Sequence, residues 1–192
     1  MNDKVNWEEQ WALFAKNFKD GKAHIDLGEK TLLLLPGEGF GDLSHPTTYL
    51  MLEMMKEYVV GKSVVDIGTG SGILALAALM LGAKSAIGID IDPGAVKHAK
   101  KNAKLNDLNA KFSKSLPKKL PKKNIFLMNM ILMEQLQVGP KKLNEKASLW
   151  IVSGILVGQK KKYLKQAEEW GWEVVSVQRK SEWLGFVFRV SQ

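Results

Sequence analysis

The segment Val64–Ala78, VVDIGTGSGILALAA, constrains the fold of this chain more than any other. A short β-branched run ends at Asp66 and Ile67. Gly68, Gly70 and Gly72 follow, and an unbroken run of apolar helix formers begins at Ile73. A strand-to-helix bend needs glycine because the backbone must turn within a few residues and lie close to a ligand, where a Cβ would collide. The helix start contributes unpaired amides and a positive potential.

The spacing narrows the ligand. A dinucleotide fingerprint has glycines at its first, third and sixth positions; here the sixth is Ile73. A phosphate loop carries Gly-Lys-Ser/Thr before its helix, whereas this turn reads Gly72-Ile73-Leu74. Asp66 would repel a pyrophosphate and suits a ligand bearing an amino group and a sulfonium charge. Asp90 closes the next strand in AIGIDIDP. An acid there can accept both ribose hydroxyls, each charge-assisted bond contributing about 1.5–3 kcal/mol. The ordered pair of acids points to S-adenosylmethionine, seated on Asp66–Gly72.

The rest of the chain supports an α/β domain. After Gly61, strands are expected at Ser63–Ile67, Ala86–Asp90, Ala110–Phe112, Ile125–Met130, Ala147–Val152, Trp172–Gln178 and Trp183–Val190. Helices are expected at Gly72–Leu81, Pro93–Asn106, where Asp92 serves as N-cap, and Gly158–Trp170. Strands alternating with helices pair in parallel, and the last two strands, lacking a helix between them, form an antiparallel hairpin. The predicted fold is therefore a Rossmann-like, seven-stranded, mostly parallel sheet with an antiparallel C-terminal hairpin and helices on both faces. Before it, Trp7, Trp11, Phe14 and Phe18 have helical spacing, so a helix is expected over Trp7–Phe18. A hairpin is expected over Ala23–Leu27 and Thr31–Leu35, and another helix begins near Pro46. This divides the chain into an appendage, 1–45, and a cofactor-binding domain, 46–192.

Composition excludes several alternatives. The chain has no cysteine, which removes disulfides, cysteine-ligated zinc and cysteine nucleophiles, and suits the cytoplasm. Three scattered histidines give no metal site. The N-terminus is polar, unlike a signal peptide. The apolar stretches Ile73–Ala83 and Ile125–Met133 fall short of the roughly 20 residues a membrane span needs. The net charge of +8 comes almost wholly from lysine, with arginine only at 179 and 189. Arginine is the usual choice for bidentate phosphate recognition, so the excess reads mainly as a solvated surface. The concentrated exception is Lys111–Lys123, with six lysines and no acid, an exposed loop that is the candidate RNA contact.

With these residues in view, the chain resembles the PrmA group of ribosomal protein methyltransferases, class I enzymes that use S-adenosylmethionine. PGEGFGDLSHPTTYLMLEMM resembles that group's Phe-Gly-x-x-x-His-Pro-Thr-Thr segment, which closes over the methionine part of the cofactor. LMNMILMEQL resembles its Asn-Ile-Leu segment, and SGILVGQ and EWLGFVF match as well. The resemblance runs from about Trp7 to the end. It implies cofactor binding by Thr47, Thr48, Asp66, Gly68, Gly70, Gly72, Asp90, Ile91 and Asn129, and it puts Asn129 in the position of the active-site asparagine. Three departures stand out. The group carries an extra N-terminal docking domain, and this chain begins at what would be the linker. Its usual Thr-Gly after Phe40-Gly41 is replaced by Asp42-Leu43. SKSLPKKLPKK lacks the acid that commonly meets the adenine amino group.

Read one by one, Thr47 and Thr48 can hydrogen-bond a carboxylate or cap the helix at Pro46. His45 shapes the site, Ser153 can line it, and His24 and His98 read as structural. Asn129 interrupts an apolar run at a central strand end, where an amide without partners would cost about 1–3 kcal/mol. The expected function is methylation of a protein amino group, a ribosomal protein by resemblance. The alternatives are an RNA or small-molecule methyltransferase and a catalytically weak cofactor-binding relic. Asn-Met-Ile-Leu argues against adenine-amino methylases, which carry Asn/Asp-Pro-Pro-Tyr/Phe there.

Overall fold

The computed structural model of the chain describes residues 6–15, 17–41 and 45–191. Helix α1 (Trp7–Phe14) leads into a small antiparallel sheet of β1 (Phe18–Lys19), β2 (Lys22–Asp26) and β3 (Thr31–Leu34). Helix α2 (Pro46–Met55) precedes the alternating part. This comprises β4 (Ser63–Ile67), α3 (Ile73–Met80), β5 (Ser85–Ile89), α4 (Pro93–Leu105), β6 (Lys111–Ser113) and β7 (Asn124–Asn129). It continues with α5 (Leu132–Val138), β8 (Ala147–Leu156), α6 (Lys160–Glu169), β9 (Trp172–Lys180) and β10 (Trp183–Val190).

The large sheet has seven strands in the order β6-β5-β4-β7-β8-β10-β9. Pairing is parallel from β6 through β8; β10 runs antiparallel to both β8 and β9. The fold class expected from the sequence is the one observed. Strand periodicity explains the layering, since successive side chains point to opposite faces. Val64, Ile125 and Leu127 enter one buried cluster with α3 and the small sheet, while Val65, Phe126 and Met128 enter another with Trp150, Tyr163 and Phe186. A sheet buried on both faces needs helices on both. Trp11, Ile25, Leu32 and Leu34 share the first cluster with Ile73 and Ala99, so the N-terminal elements pack into the same core as the sheet.

Several element boundaries differ from expectation. Helix α1 stops at Phe14, and Asn17 and Asp20 adopt left-handed backbone angles that admit the two-residue strand β1 between them. Strand β8 runs on to Leu156 because β10 pairs along its length. Helix α5 and the 3-10 turn Pro140–Lys146 were not expected from the sequence, where the apolar run masked the end of β7. The replaced lid residues Asp42 and Leu43 lie outside the described residues. Among the described residues, no helix is long and apolar enough to cross a membrane.

Candidate functional site

The strand order reverses at β4, which has β5 on one side and β7 on the other. In open parallel sheets this is where a crevice forms, beyond the strands' carboxyl ends. Two adjoining hollows lie here, of about 450 Å³ and about 470 Å³, sharing Gly68, Asp90, Ile91, Met130 and Glu134.

The glycine turn forms their floor. Gly68, Gly70 and Gly72 have φ of +70°, +53° and +85°, a backbone region that only glycine enters freely. Gly68 and Gly70 line the first hollow. Gly72 lines neither; a Cβ there would press on Ala99 and Phe112, so this glycine lets α4 and β6 approach. Asp90 braces the turn: its Oδ2 accepts from the Gly70 amide at 2.9 Å and its Oδ1 from the Asp92 amide at 3.0 Å. Asp92 caps α4 by accepting from the Gly94 amide at 2.8 Å. Ile91 is 88 % exposed at the rim shared by both hollows.

Asp66 sits beneath the turn and lines neither hollow. Its Oδ2 accepts from the Thr69 hydroxyl at 2.6 Å, while Oδ1 is buried without a hydrogen-bond partner. Burial pushes its pKa up to about 7; the Thr69 hydroxyl and the nearby Ala75 amide pull the other way, and the Asp90 charge raises it slightly. Two carboxylates gathered under one bend favour a cation above it.

The far wall comes from β7, β8 and α2. Asn129 and Thr47 line the first hollow. Asn129 Nδ2 reaches Thr48 Oγ1 at 3.5 Å, while Thr48 is fully buried behind it. The cap of α2 is His45 rather than either threonine: its Nδ1 lies 2.8 Å from Thr47 Oγ1 and accepts weakly from the Thr47 amide. The His45 ring stands 5.0 Å from Trp183 and 5.6 Å from Phe40, both edge-on, making an aromatic wall. Ser153 is fully buried and donates to the Leu184 carbonyl at 2.9 Å, so its neighbour Gly154 lines the hollow instead.

Sequence reasoning missed the support behind Asn129. Gln135, fully buried on α5, donates to the carbonyls of Met130 at 2.7 Å and Ser153 at 3.0 Å, and accepts from the Tyr163 hydroxyl at 2.6 Å. It ties the ends of β7 and β8 together. Nothing in the sequence marks it, since it stands between Glu134 and Gln137 in a mixed stretch. Glu38, Glu134 and Trp183 also line the first hollow, beside Phe40 of the Phe-Gly segment. Beyond the shared rim, the second hollow is walled by Ile67, Ile89, Leu116 and Leu143, with Lys114 and Lys142 at its edge.

The family model described as ribosomal protein L11 methyltransferase (PrmA) matches residues 17–191. The ribosomal protein L11 methyltransferase of Thermoanaerobacter pseudethanolicus is 34 % identical over 97 % of this chain and 66 % of its own length. That of Dictyoglomus thermophilum is 34 % identical over 95 % and 65 %, so the chain spans about 65 % of the relatives it matches. The crystal structure of a ribosomal protein L11 methylase from Lactobacillus delbrueckii subsp. bulgaricus superposes with a TM-score of 0.73. It shares 31 % identity and covers 83 % of this chain and 84 % of that one.

Proposed function

Since this chain belongs to the ribosomal protein L11 methyltransferase (PrmA) family, we propose that it transfers the methyl group of S-adenosylmethionine to an amino group of a protein, in the first instance a ribosomal protein. The observation that carries this reading is the charge of the first hollow. In a chain of net charge +8, its lining holds the four acids Glu38, Asp90, Asp92 and Glu134, with no lysine or arginine among the described residues. A lining of one sign raises the local concentration of oppositely charged ligands. A sulfonium nucleoside and a cationic amine both satisfy it, whereas an incoming phosphodiester is repelled.

The residues present fit the cofactor. The paired acids Asp66 and Asp90, one holding a buried oxygen without a partner, favour a net positive charge on the glycine turn. Asp90 keeps acceptor capacity on both oxygens for ribose hydroxyls, since each has so far taken one amide. The apolar walls of the second hollow suit a flat base. When bound, S-adenosylmethionine supplies a methyl group already activated by its sulfonium charge.

The chain then has to align an amine and exclude water, and alignment alone can lower a barrier by roughly 7–11 kcal/mol. Asn129 directs its amide nitrogen toward Thr48, which leaves its carbonyl oxygen to accept from the amine and hold the nitrogen lone pair toward the methyl group. Gln135 fixes the backbone on either side of this residue. His45, Phe40 and Trp183 offer aromatic faces and edges to the alkyl chain or its ammonium. The amine, drawn in as a cation, gives up its proton to water before the site is closed to solvent, so that its lone pair is free when it is aligned.

A second contact is favoured by the lysines of Lys111–Lys123, of which Lys114 lies at the second hollow, together with Lys142 there. There the protein touches RNA phosphates beside its acceptor, in the cytoplasm where ribosomes are assembled. A linear fall of log affinity for RNA with log salt supports this, and a flat response removes it. The main reading is tested by tritiated-methyl transfer from S-adenosylmethionine into a cell lysate, followed by separation of protein, RNA and small molecules. Label in a small basic protein, acid-stable and on an amine, supports it; label confined to RNA or to small molecules overturns it.

A further inference from the structure

The segment that follows β3, Leu35–Gly41, crosses the mouth of the first hollow, where Glu38, Gly39 and Phe40 form part of its lining. It lies directly on the glycine turn. The Ser71 amide donates to the Phe40 carbonyl at 2.9 Å and the Ser71 hydroxyl to the Gly41 carbonyl at 2.6 Å. A Cβ on Gly39 would stand 2.5 Å from the backbone of Gly70 and Ser71, so strap and turn are in contact with no room between them.

One face of α4, extended by its C-cap Asn106, grips the end of β3 and this strap by their backbone. Asn106, Asn102 and His98 are spaced four residues apart and therefore lie along one face of the helix. Asn106 accepts from the Leu33 amide at 2.9 Å and donates to the Leu33 carbonyl at 2.7 Å. Asn102 accepts from the Leu35 amide at 2.9 Å and donates to the Ser71 carbonyl at 2.8 Å, joining strap and turn. His98 completes the row. Its Nδ1 accepts from the Gly39 amide at 3.1 Å and its Nε2 lies 2.7 Å from the Leu35 carbonyl. A carbonyl can only accept, so Nε2 carries the proton and the ring is neutral. Leu35 and Gly39 thus hold the two nitrogens of one ring, and the strap loops around its edge, with a Cβ on Gly37 meeting ring atoms at 2.7 Å. Trp11 of α1 covers the ring edge-on at 5.8 Å.

We propose that His98, acting through the strap Leu35–Gly41, is a positioning residue for the nucleoside: its neutral ring holds Gly39 and Phe40 over the hollow and so sets the affinity for S-adenosylmethionine. The inference rests on the cofactor reading above, but the clamp itself can be tested without it. The donor on one nitrogen and the acceptor on the other are both needed. Glutamine supplies one of each, while leucine fills the space and supplies neither.

The experiment compares the parent, His98→Gln and His98→Leu at a pH of about 8, where the ring is neutral. Amide hydrogen exchange at Gly39 reads the clamp with no ligand present. Calorimetric titration with S-adenosylmethionine and with its demethylated product reads affinity. The expected result is a protected Gly39 amide in the parent, protection lost in His98→Leu, and an affinity weakened about tenfold in that variant, the effect of one hydrogen bond. His98→Gln restores most of both. The melting temperature without ligand separates this from general destabilisation, because His98→Leu has to keep the fold while losing the strap. Equal affinity in the parent and His98→Leu overturns the proposal, as does Gly39 exchange that is the same in both. Should Gln fail to restore affinity while Gly39 stays protected, the proposal is equally overturned. If the parent binds neither nucleoside, the cofactor reading fails and the role in affinity fails with it; the exchange measurement then decides whether His98 clamps the strap at all.

Discussion

The carboxylate of Asp90, at the end of β5, accepts a hydrogen bond at 2.9 Å from the amide of Gly70 in the turn after β4. Its other oxygen accepts from the Asp92 amide at the start of the next helix. One side chain therefore holds the shape of the bend and presents its remaining lone pairs to the hollow. In the protein without ligand, Asp90→Ala leaves two amides without their acceptor. The expected cost is about 1–3 kcal/mol, with Asp90→Asn losing less because its carbonyl replaces one acceptor. Chemical denaturation of the two variants checks this.

Asp66 makes stability depend on pH. Burial is the chief reason its pKa rises from the ordinary carboxylate value of 3.8 in the unfolded chain to about 7 in the folded one. Between these values the folded chain holds a proton that the unfolded chain has released. Folding therefore loses stability as pH rises from about 4 to about 7 and stays penalised above that. Asp66→Asn removes the penalty while still accepting from Thr69. The expected gain is about 2–4 kcal/mol at a pH near 8 and close to nothing near pH 4, read from paired denaturation curves.

His98 works in the opposite direction. Burial lowers its pKa below 6.5; the Leu35 carbonyl and the Glu38 charge raise it, and the Lys101 charge lowers it further. The unfolded chain takes up this proton first, so the contribution of His98 is complete above about pH 6.5 and is lost as pH falls toward the folded pKa. His98→Gln has no such titration. The difference in stability between parent and His98→Gln therefore shrinks on acidification, and a difference constant from pH 8 to 5 contradicts the assignment.

Gly70 is required twice, by its φ of +53° and by the Phe40 carbonyl, which a Cβ would approach to 2.5 Å. Gly70→Ala is expected to cost about 1–3 kcal/mol in backbone strain and to raise Gly39 amide exchange by lifting the strap. Gly28→Ala provides a control, since a Cβ there meets nothing within 4 Å and only the φ of +96° is strained.

Replacing Gln135 by Leu leaves the Tyr163 hydroxyl and two carbonyls without their buried partner, at an expected cost of about 2–4 kcal/mol. Tyr163→Phe leaves one unpaired oxygen and costs about 1–2 kcal/mol. Thermal melting of both variants and the double variant measures the coupling through a mutant cycle.

The sheet was legible because its signals are local. Glycines at positive φ after Asp66, the Asp92 cap with Pro93 behind it, and strands such as Asn124–Met128, buried on both faces, each appear as residue types at fixed spacing. The positions of Asp90 and Asn129 at the crevice were legible because each closes a strand in a fold whose crevice lies there. What was not legible depends on contacts distant in sequence. Nothing near Asp66 shows that the chain closes over it, so a residue read as facing the ligand turns out to lie beneath it. His98 reads as an ordinary helical residue until the strap, about sixty residues earlier, is seen wrapped around its ring. Gln135 likewise gains its role from Ser153 and Tyr163, which only the β8 and α6 packing brings near. Gly72 shows the reverse: the motif suggested a ligand contact, and packing against Ala99 and Phe112 explains the glycine.

The central claim is that the acid-lined crevice between β4, β5 and β7 holds S-adenosylmethionine. Calorimetric titration of the parent and of Asp90→Ala tests it most directly. The account predicts one site per chain in the parent, and affinity at least about tenfold weaker once the ribose-facing carboxylate is gone. No binding in the parent, or equal affinity in the two proteins, would contradict it.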